Sequence, residues 1–138
     1  MIPSLVDIGG PWKVLPPGVH EACLEEVEQT YATSAYRREL FEGFKAGYQN
    51  LIAAGCRNIF LDGSYVGEKL RPGDFDALWD HKGVISKMVD PILLNTSKQG
   101  RVAQKLKYKG EFFLSNFFFN YFQKDKHTGK PKGIIRVH

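Results

Sequence analysis

The sequence predicts an α+β fold, a small mixed β-sheet with helices packed on it, and three observations carry that expectation. Residues 35 to 54 repeat apolar side chains at helical spacing (Leu40, Phe41, Phe44, Tyr48, Leu51, Ile52). Four short apolar runs, at 57–62, 74–79, 111–114 and 133–137, are bounded by glycine, proline or charged turns and have the length of strands. No internal repeat or second composition appears along the 138 residues, a length that suits one domain with its own core.

Each element has a local reason. Residues 1–20 are expected to be irregular yet packed on the domain. Pro3, Gly9, Gly10, Pro11, Pro16, Pro17 and Gly18 break regular structure, while Ile2, Leu5, Val6, Ile8, Trp12, Val14 and Leu15 need cover. Glu21 to Tyr31 reads as a short amphipathic helix with Cys23, Leu24, Val27 and Tyr31 on one side. Thr33 or Ser34 caps the longer helix that follows, and Gly55 suits its left-handed end. Arg57–Asp62 is the first strand and Asp74–Trp79 the second. Residues 81–95, with Gly83 and Pro91, read as loop and short turns. Gln99–Tyr108 is expected to be a helix and Glu111–Leu114 a strand entered through Gly110. The aromatic run in 116–123 (Phe117, Phe118, Phe119, Tyr121, Phe122) is expected to be buried or to form an interface. A turn-rich loop over 125–132 leads into a closing strand, Gly133–Val137.

Composition narrows the function classes. Apolar residues make up 43% and charged residues 25%, the balance of a soluble globular domain. Two cysteines, Cys23 and Cys56, provide neither a disulfide framework nor a paired metal spacing. The N-terminus lacks signal-peptide character and no run approaches the ~20 apolar residues of a membrane span, so a cytoplasmic location without membrane contact is expected. His20, His81, His127 and His138 form no zinc-ligand spacing, and neither a nucleophile elbow nor a phosphate-binding P-loop is present. The formal charge of +4 is concentrated in two basic stretches, 98–109 and 124–136, which favour phosphate-bearing partners, nucleotide or RNA.

Residues 59 to 79 carry the chemistry. A strand ends in Gly63-Ser64, a polar loop follows, and the next strand opens with Asp74 and Asp76. Residues two apart in a strand share a face, so both carboxylates project together while Phe75 and Ala77 turn to a core. Two carboxylates that close repel unless a cation neutralises them, and a hard ion such as Mg²⁺ suits an all-oxygen pair.

Gly-Ser at a strand end, followed after an eleven-residue offset by Asp-x-Asp on the next strand, resembles the nucleotidyltransferase superfamily, the fold of polymerase-β-like enzymes. The wider chain also resembles a group of small bacterial and phage proteins, through Leu15-Pro-Pro-Gly-Val-His20, the 60–80 segment and the tail from Phe122-Gln123 to Pro131-Lys132-Gly133-Ile134. The first resemblance implies that Gly63 and Ser64 hold nucleotide phosphates and that Asp74 and Asp76 bind Mg²⁺. It also implies a third carboxylate on a later strand, where the superfamily more often has aspartate. Glu111 is the choice here, because it opens an apolar strand. Asp80 would lie ~13 Å from Asp76 along the strand, too far to share metals ~4 Å apart, and Asp90 precedes a proline in a loop.

Lys69 and Arg71, in the loop between the motif halves, are candidate triphosphate contacts, with Lys105 and Lys107 as weaker ones. Asp62 is expected to fix the Gly63 turn by hydrogen bonding. The expected activity is Mg²⁺-dependent transfer of a nucleotidyl group from a nucleoside triphosphate to a hydroxyl on a protein, an RNA or a small molecule, with a partner chain or homodimer completing acceptor selection. Two alternatives stay open. One is a catalytically inactive protein of the same fold acting by protein contact, as in toxin–antitoxin or phage–host conflict. The other is a basic RNA-binding module.

Overall fold

The computed structural model describes residues 2–138. Five strands form one mixed sheet: β1 (Gly18–Ala22), β2 (Ile59–Asp62), β3 (Phe75–Trp79), β4 (Gly110–Leu114) and β5 (Gly133–Val137), in the spatial order β1-β5-β2-β3-β4. β2 runs antiparallel to both of its neighbours, β3 and β5, whereas β1–β5 and β3–β4 are parallel pairs. Five helices complete the α+β fold: α1 (Leu24–Tyr31), α2 (Ala35–Ala53), the single turns α3 (Pro91–Leu94) and α5 (Ser115–Phe118), and α4 (Lys98–Tyr108).

Strand β1 corrects the expectation of an irregular segment through residue 20. The strand begins at Gly18, immediately after the proline pair, and continues through Glu21 and Ala22, so that α1 starts only at Leu24. Its partner is β5, more than a hundred residues downstream, and that distant pairing overrides the local breakers. Farther upstream, a Val6–Val14 bridge ties the N-terminal segment back on itself.

Helix α2 forms as its sequence dictates. The Ser34 hydroxyl caps it by accepting from the Arg37 amide, and Gly55 follows its end with φ +98°. Its buried stripe (Leu40, Phe41, Phe44, Leu51) packs on the sheet face made by Ile59, Leu61, Phe75, Ala77, Phe112, Ile135 and Val137. Phe44 stacks on Phe112 at 6.0 Å between ring centres and meets Phe75 edge-on at 5.5 Å. Close approach requires Gly47, where a Cβ would lie 2.4 Å from the Phe112 ring. At roughly 1.5–3 kcal/mol for each large apolar side chain buried, this face is the main source of stability.

The opposite face uses the alternate residues of the same strands. Phe60, Leu78 and Ile134 form a small apolar patch there, covered by Phe113, Phe119 and Phe122. Within the 116–123 aromatic run, Phe119 and Phe122 are half-buried against this patch and Phe118 is exposed. Phe117 remains 77% and Tyr121 70% exposed, so of the two expected outcomes, burial holds for part of the run and an interface stays open for the rest. Helix α4 guards the sheet edge, where the Gln104 side chain accepts the Phe112 amide that an edge strand would leave open. Among the described residues, no helix is long and apolar enough to cross a membrane.

Candidate active site

Strand register places three carboxylates side by side on the less covered face. Asp62, the last residue of β2, lies directly opposite Asp76 on β3, and Asp76 lies beside Glu111 on β4. Directly opposed residues hold their Cβ atoms about 4.5–5.5 Å apart, so the row is closely spaced. Asp74 sits two residues before Asp76 at the mouth of the same strand. Desolvation, reinforced by the charges of Asp74, Asp62 and Glu111, pushes the Asp76 carboxyl up to about 7. Burial pushes Asp62 up to about 6, with the Lys132 ammonium opposing the shift.

Gly63 makes this geometry feasible. Its φ of +80° is a conformation that L side chains rarely adopt, and a Cβ there would lie 2.6 Å from Asp76 Oδ2. The chain therefore turns past Asp76 only because residue 63 has no side chain. A short helical turn, Ser64–Val66, follows. The loop beyond it is stapled from beneath by Arg37, whose guanidinium donates to the carbonyls of Tyr65, Gly67 and Lys69 at 2.7, 3.1 and 2.6 Å.

A cleft of about 700 Å³ opens over the row, lined by Asp62, Gly63, Ser64, Asp74 and Asp76. Its walls come from three places in the sequence. Trp12 and Leu15 belong to the N-terminal segment, Lys69 to the loop before β3, and Tyr121, Phe122, Lys124, Lys126, His127 and Lys132 to the segment leading into β5. Trp12 lies between two of these contributions, with Lys69 Nζ 4.8 Å from its ring centre and the His127 ring edge-on at 5.1 Å. The result is an acidic floor with a basic and aromatic rim.

The expected site residues divide accordingly. Gly63, Ser64, Lys69, Asp74 and Asp76 share the cleft. Arg71 does not line it; its guanidinium lies over the Tyr36 ring at 4.2 Å. Glu111 stands in register with Asp76 but faces a separate hollow beside Phe117 and Phe118. Its two oxygens are engaged by Arg101 Nε at 2.9 Å and Lys105 Nζ at 3.3 Å, and the same Lys105 Nζ is 3.3 Å from Asp74 Oδ2. Asp74 and Glu111 in turn hold the Lys105 ammonium above its ordinary range. Lys107 points elsewhere, to Asp90, which also accepts from Tyr108 and caps α3. His81 is exposed and pairs with Asn116 at 2.9 Å. The expectation that Asp62 fixes the Gly63 turn by hydrogen bonding is met only weakly: the Gly63 amide favours the charged form of Asp62, but neither carboxylate oxygen has a hydrogen bond of full geometry among the described residues. Lys132 Nζ lies 3.6 Å away.

Sequence reasoning missed Asp62, Lys132, Trp12 and the 121–127 rim as cleft residues. The available signal was weak, since Asp62 is simply the one charged residue in an otherwise apolar strand.

The donor set suits a hard divalent cation. It consists of carboxylates alone and is partly desolvated, and when fully ionised its four acids (Asp62, Asp74, Asp76, Glu111) exceed the three cations paired with them (Arg101, Lys105, Lys132). Among the described residues, no three His, Cys, Asp or Glu side chains already converge on one ligation point. The acids form a row rather than a closed cage, as mutual repulsion and two intervening ammonium groups dictate.

Across residues 11–138 the chain matches, and belongs to, a family of unknown function, DUF6932. No curated protein and no solved structure matches it.

Proposed function

We propose that this chain is a nucleotidyltransferase-like protein that binds a nucleoside triphosphate with Mg²⁺ and transfers its nucleotidyl group to a hydroxyl acceptor. One observation carries the reading: carboxylates in register on adjacent strands open into a cleft with a lysine-bearing rim. An acidic floor alone would repel a triphosphate, and a basic rim alone would bind any polyanion. The two together suit a polyphosphate that arrives with its own cations.

Asp74 and Asp76 would hold Mg²⁺, with a third carboxylate of the row beside them. The bound ion would supply charge neutralisation on the phosphates and acidify the acceptor hydroxyl. Lys69, together with the lysines of the 124–132 segment, would take the outer phosphates. Trp12 and Tyr121 offer apolar surface for a base. In the transfer itself, the acceptor oxygen bonds to the α-phosphorus, the bond from that phosphorus to the bridging oxygen breaks, and pyrophosphate leaves. The hydroxyl proton passes to a carboxylate.

A specific contact favours the second reading, a non-catalytic protein of the same fold. Lys105 Nζ bridges Asp74 and Glu111 where a cation would otherwise be needed. Such an internal ammonium could replace the metal permanently, leaving the protein to act by contact with a partner.

Thermal shift with Mg²⁺ and each of the four nucleoside triphosphates separates the two. Transfer of α-phosphate label to total RNA and protein then tests catalysis. The enzyme reading predicts stabilisation and label transfer that Asp74→Ala with Asp76→Ala abolishes. Absence of both in the wild-type chain rejects it in favour of the second reading.

A further inference from the structure

We propose that Asp62, rather than Glu111, completes the cation-binding acid set of the cleft, with Asp74 and Asp76 as its other members. The inference rests on the reading above and assigns the third carboxylate differently from what the resemblance implies. Both candidates flank Asp76 in register, one on each neighbouring strand. Their surroundings differ in every respect that matters for a ligand.

Glu111 is already satisfied. Arg101 takes one of its oxygens and Lys105 approaches the other, and its side chain does not line the cleft. Its contacts make it the anchor that docks α4 on the edge strand β4. Freeing it for a metal would break two ion pairs and loosen that helix.

Asp62 is the opposite case. It is fully buried, neither oxygen has a hydrogen bond of full geometry among the described residues, with the Gly63 amide a weak donor at most, and it contributes to the cleft lining together with Asp74 and Asp76. A carboxylate removed from water without donors is costly unless a cation compensates it. Its cationic neighbour among the described residues is Lys132, whose Nζ forms a long ion pair with it at 3.6 Å from a side chain that itself lines the cleft. Lys132 thus acts as a loose counter-ion that can yield Asp62 to a divalent ion and turn to the phosphates that accompany it. The ligand class is a hard divalent cation, Mg²⁺ or Mn²⁺, bound by oxygens.

Mn²⁺ titration of the full chain, followed by the paramagnetic resonance signal of the free ion, tests this without requiring activity. Asp62→Asn should weaken Mn²⁺ binding by at least the roughly 10–100-fold lost when a group that merely supports a ligand is removed. Asp76→Asn should do the same. Glu111→Gln should keep Mn²⁺ affinity within about threefold while lowering the melting temperature, because it loosens α4. Lys132→Gln should tighten Mn²⁺ binding severalfold in the wild-type background and clearly less in the Asp62→Asn background, where only its longer-range charge effect on Asp76 remains. That second comparison keeps the test decisive if Asp62→Asn alone folds poorly. Wild-type affinity in Asp62→Asn, or loss of binding in Glu111→Gln equal to that in Asp76→Asn, overturns the assignment and leaves the cation site itself standing. A wild-type chain that binds no Mn²⁺ overturns the enzyme reading as well.

Discussion

The two faces of the sheet are built from alternate residues of the same strands, yet they solve opposite problems. On the face toward α2, Ile59, Leu61, Phe75, Ala77 and Phe112 are fully or almost fully buried among aromatic and aliphatic partners. On the other face the same strands contribute Asp62, Asp76 and Glu111, with only Phe60, Leu78 and Ile134 forming a small apolar patch beside them. The first face lowers the free energy of the fold. The second raises it, because like charges are held together in a partly desolvated row. Costly groups that persist in an otherwise well-packed fold are candidates for a ligand site, and the cation site proposed above is placed on this cleft floor.

Breaking the comparison from the structural side gives the largest effect. Phe44→Ala removes a ring that packs on both Phe75 and Phe112. It should cost about 3–5 kcal/mol in urea unfolding, with ligand binding per folded molecule unchanged. Loss of binding in excess of unfolding would mean that the two faces are not independent.

Gly63→Ala strikes the hinge between the faces. The substituted backbone is strained and its Cβ meets the Asp76 carboxylate. A loss of about 1–3 kcal/mol is expected, together with weaker cation binding because Asp76 must move. Unchanged stability would contradict the close approach.

The pH dependence sharpens the contrast further. Asp62 and Asp76 have native values of about 6 and 7 against an ordinary 3.8, so the folded chain holds protons that the unfolded chain releases. Their favourable contribution is complete below pH ~3.8 and is lost as pH rises through 6 and 7. In metal-free buffer, the stability of the wild type relative to Asp76→Asn should fall by on the order of 2 kcal/mol across that window. Asp90 and Asp125, which are held below their ordinary value by hydrogen bonds and neighbouring charge, contribute in the opposite direction. Their contribution is lost as pH falls below ~3.8, so the windows separate. A wild type that gains stability relative to Asp76→Asn as pH rises would refute the repulsive row.

The smallest effect comes from the rim. Tyr121→Ala should change stability by less than about 0.5 kcal/mol, because the side chain is mostly exposed. It should weaken nucleotide binding as judged by thermal shift, whereas unchanged binding would remove Tyr121 from the base-contacting surface.

Much of this was legible in the sequence where signals are local. The period of Leu40, Phe41, Phe44 and Leu51, the Ser34 cap and Gly55 specify α2 without reference to the rest of the chain. The Gly63-Ser64 and Asp74-x-Asp76 spacing identifies half of the acid row. What stayed hidden depends on contacts between distant segments. Strand β1 exists through pairing with β5 and was obscured by Pro16-Pro17-Gly18. Asp62 joins the row only because β2 and β3 pair in a register that a long connecting loop does not fix in advance. Lys132 and Trp12 enter the cleft by chain closure, which carries no local pattern. The aromatic run was legible only as a choice between core and interface, because apolar density gives no indication of which rings a small patch has room to cover.

On the proposal made above, the acid row is a liability that a divalent cation relieves. Urea unfolding of the wild-type chain and Asp76→Asn at pH 8, each without metal and with saturating Mg²⁺, tests it most directly. Without metal, Asp76→Asn should be the more stable by on the order of 2 kcal/mol. With Mg²⁺ the wild type should gain more than Asp76→Asn, and the gap should close or reverse. A metal-free Asp76→Asn chain less stable than the wild type, or equal Mg²⁺ effects on both chains, would contradict the account.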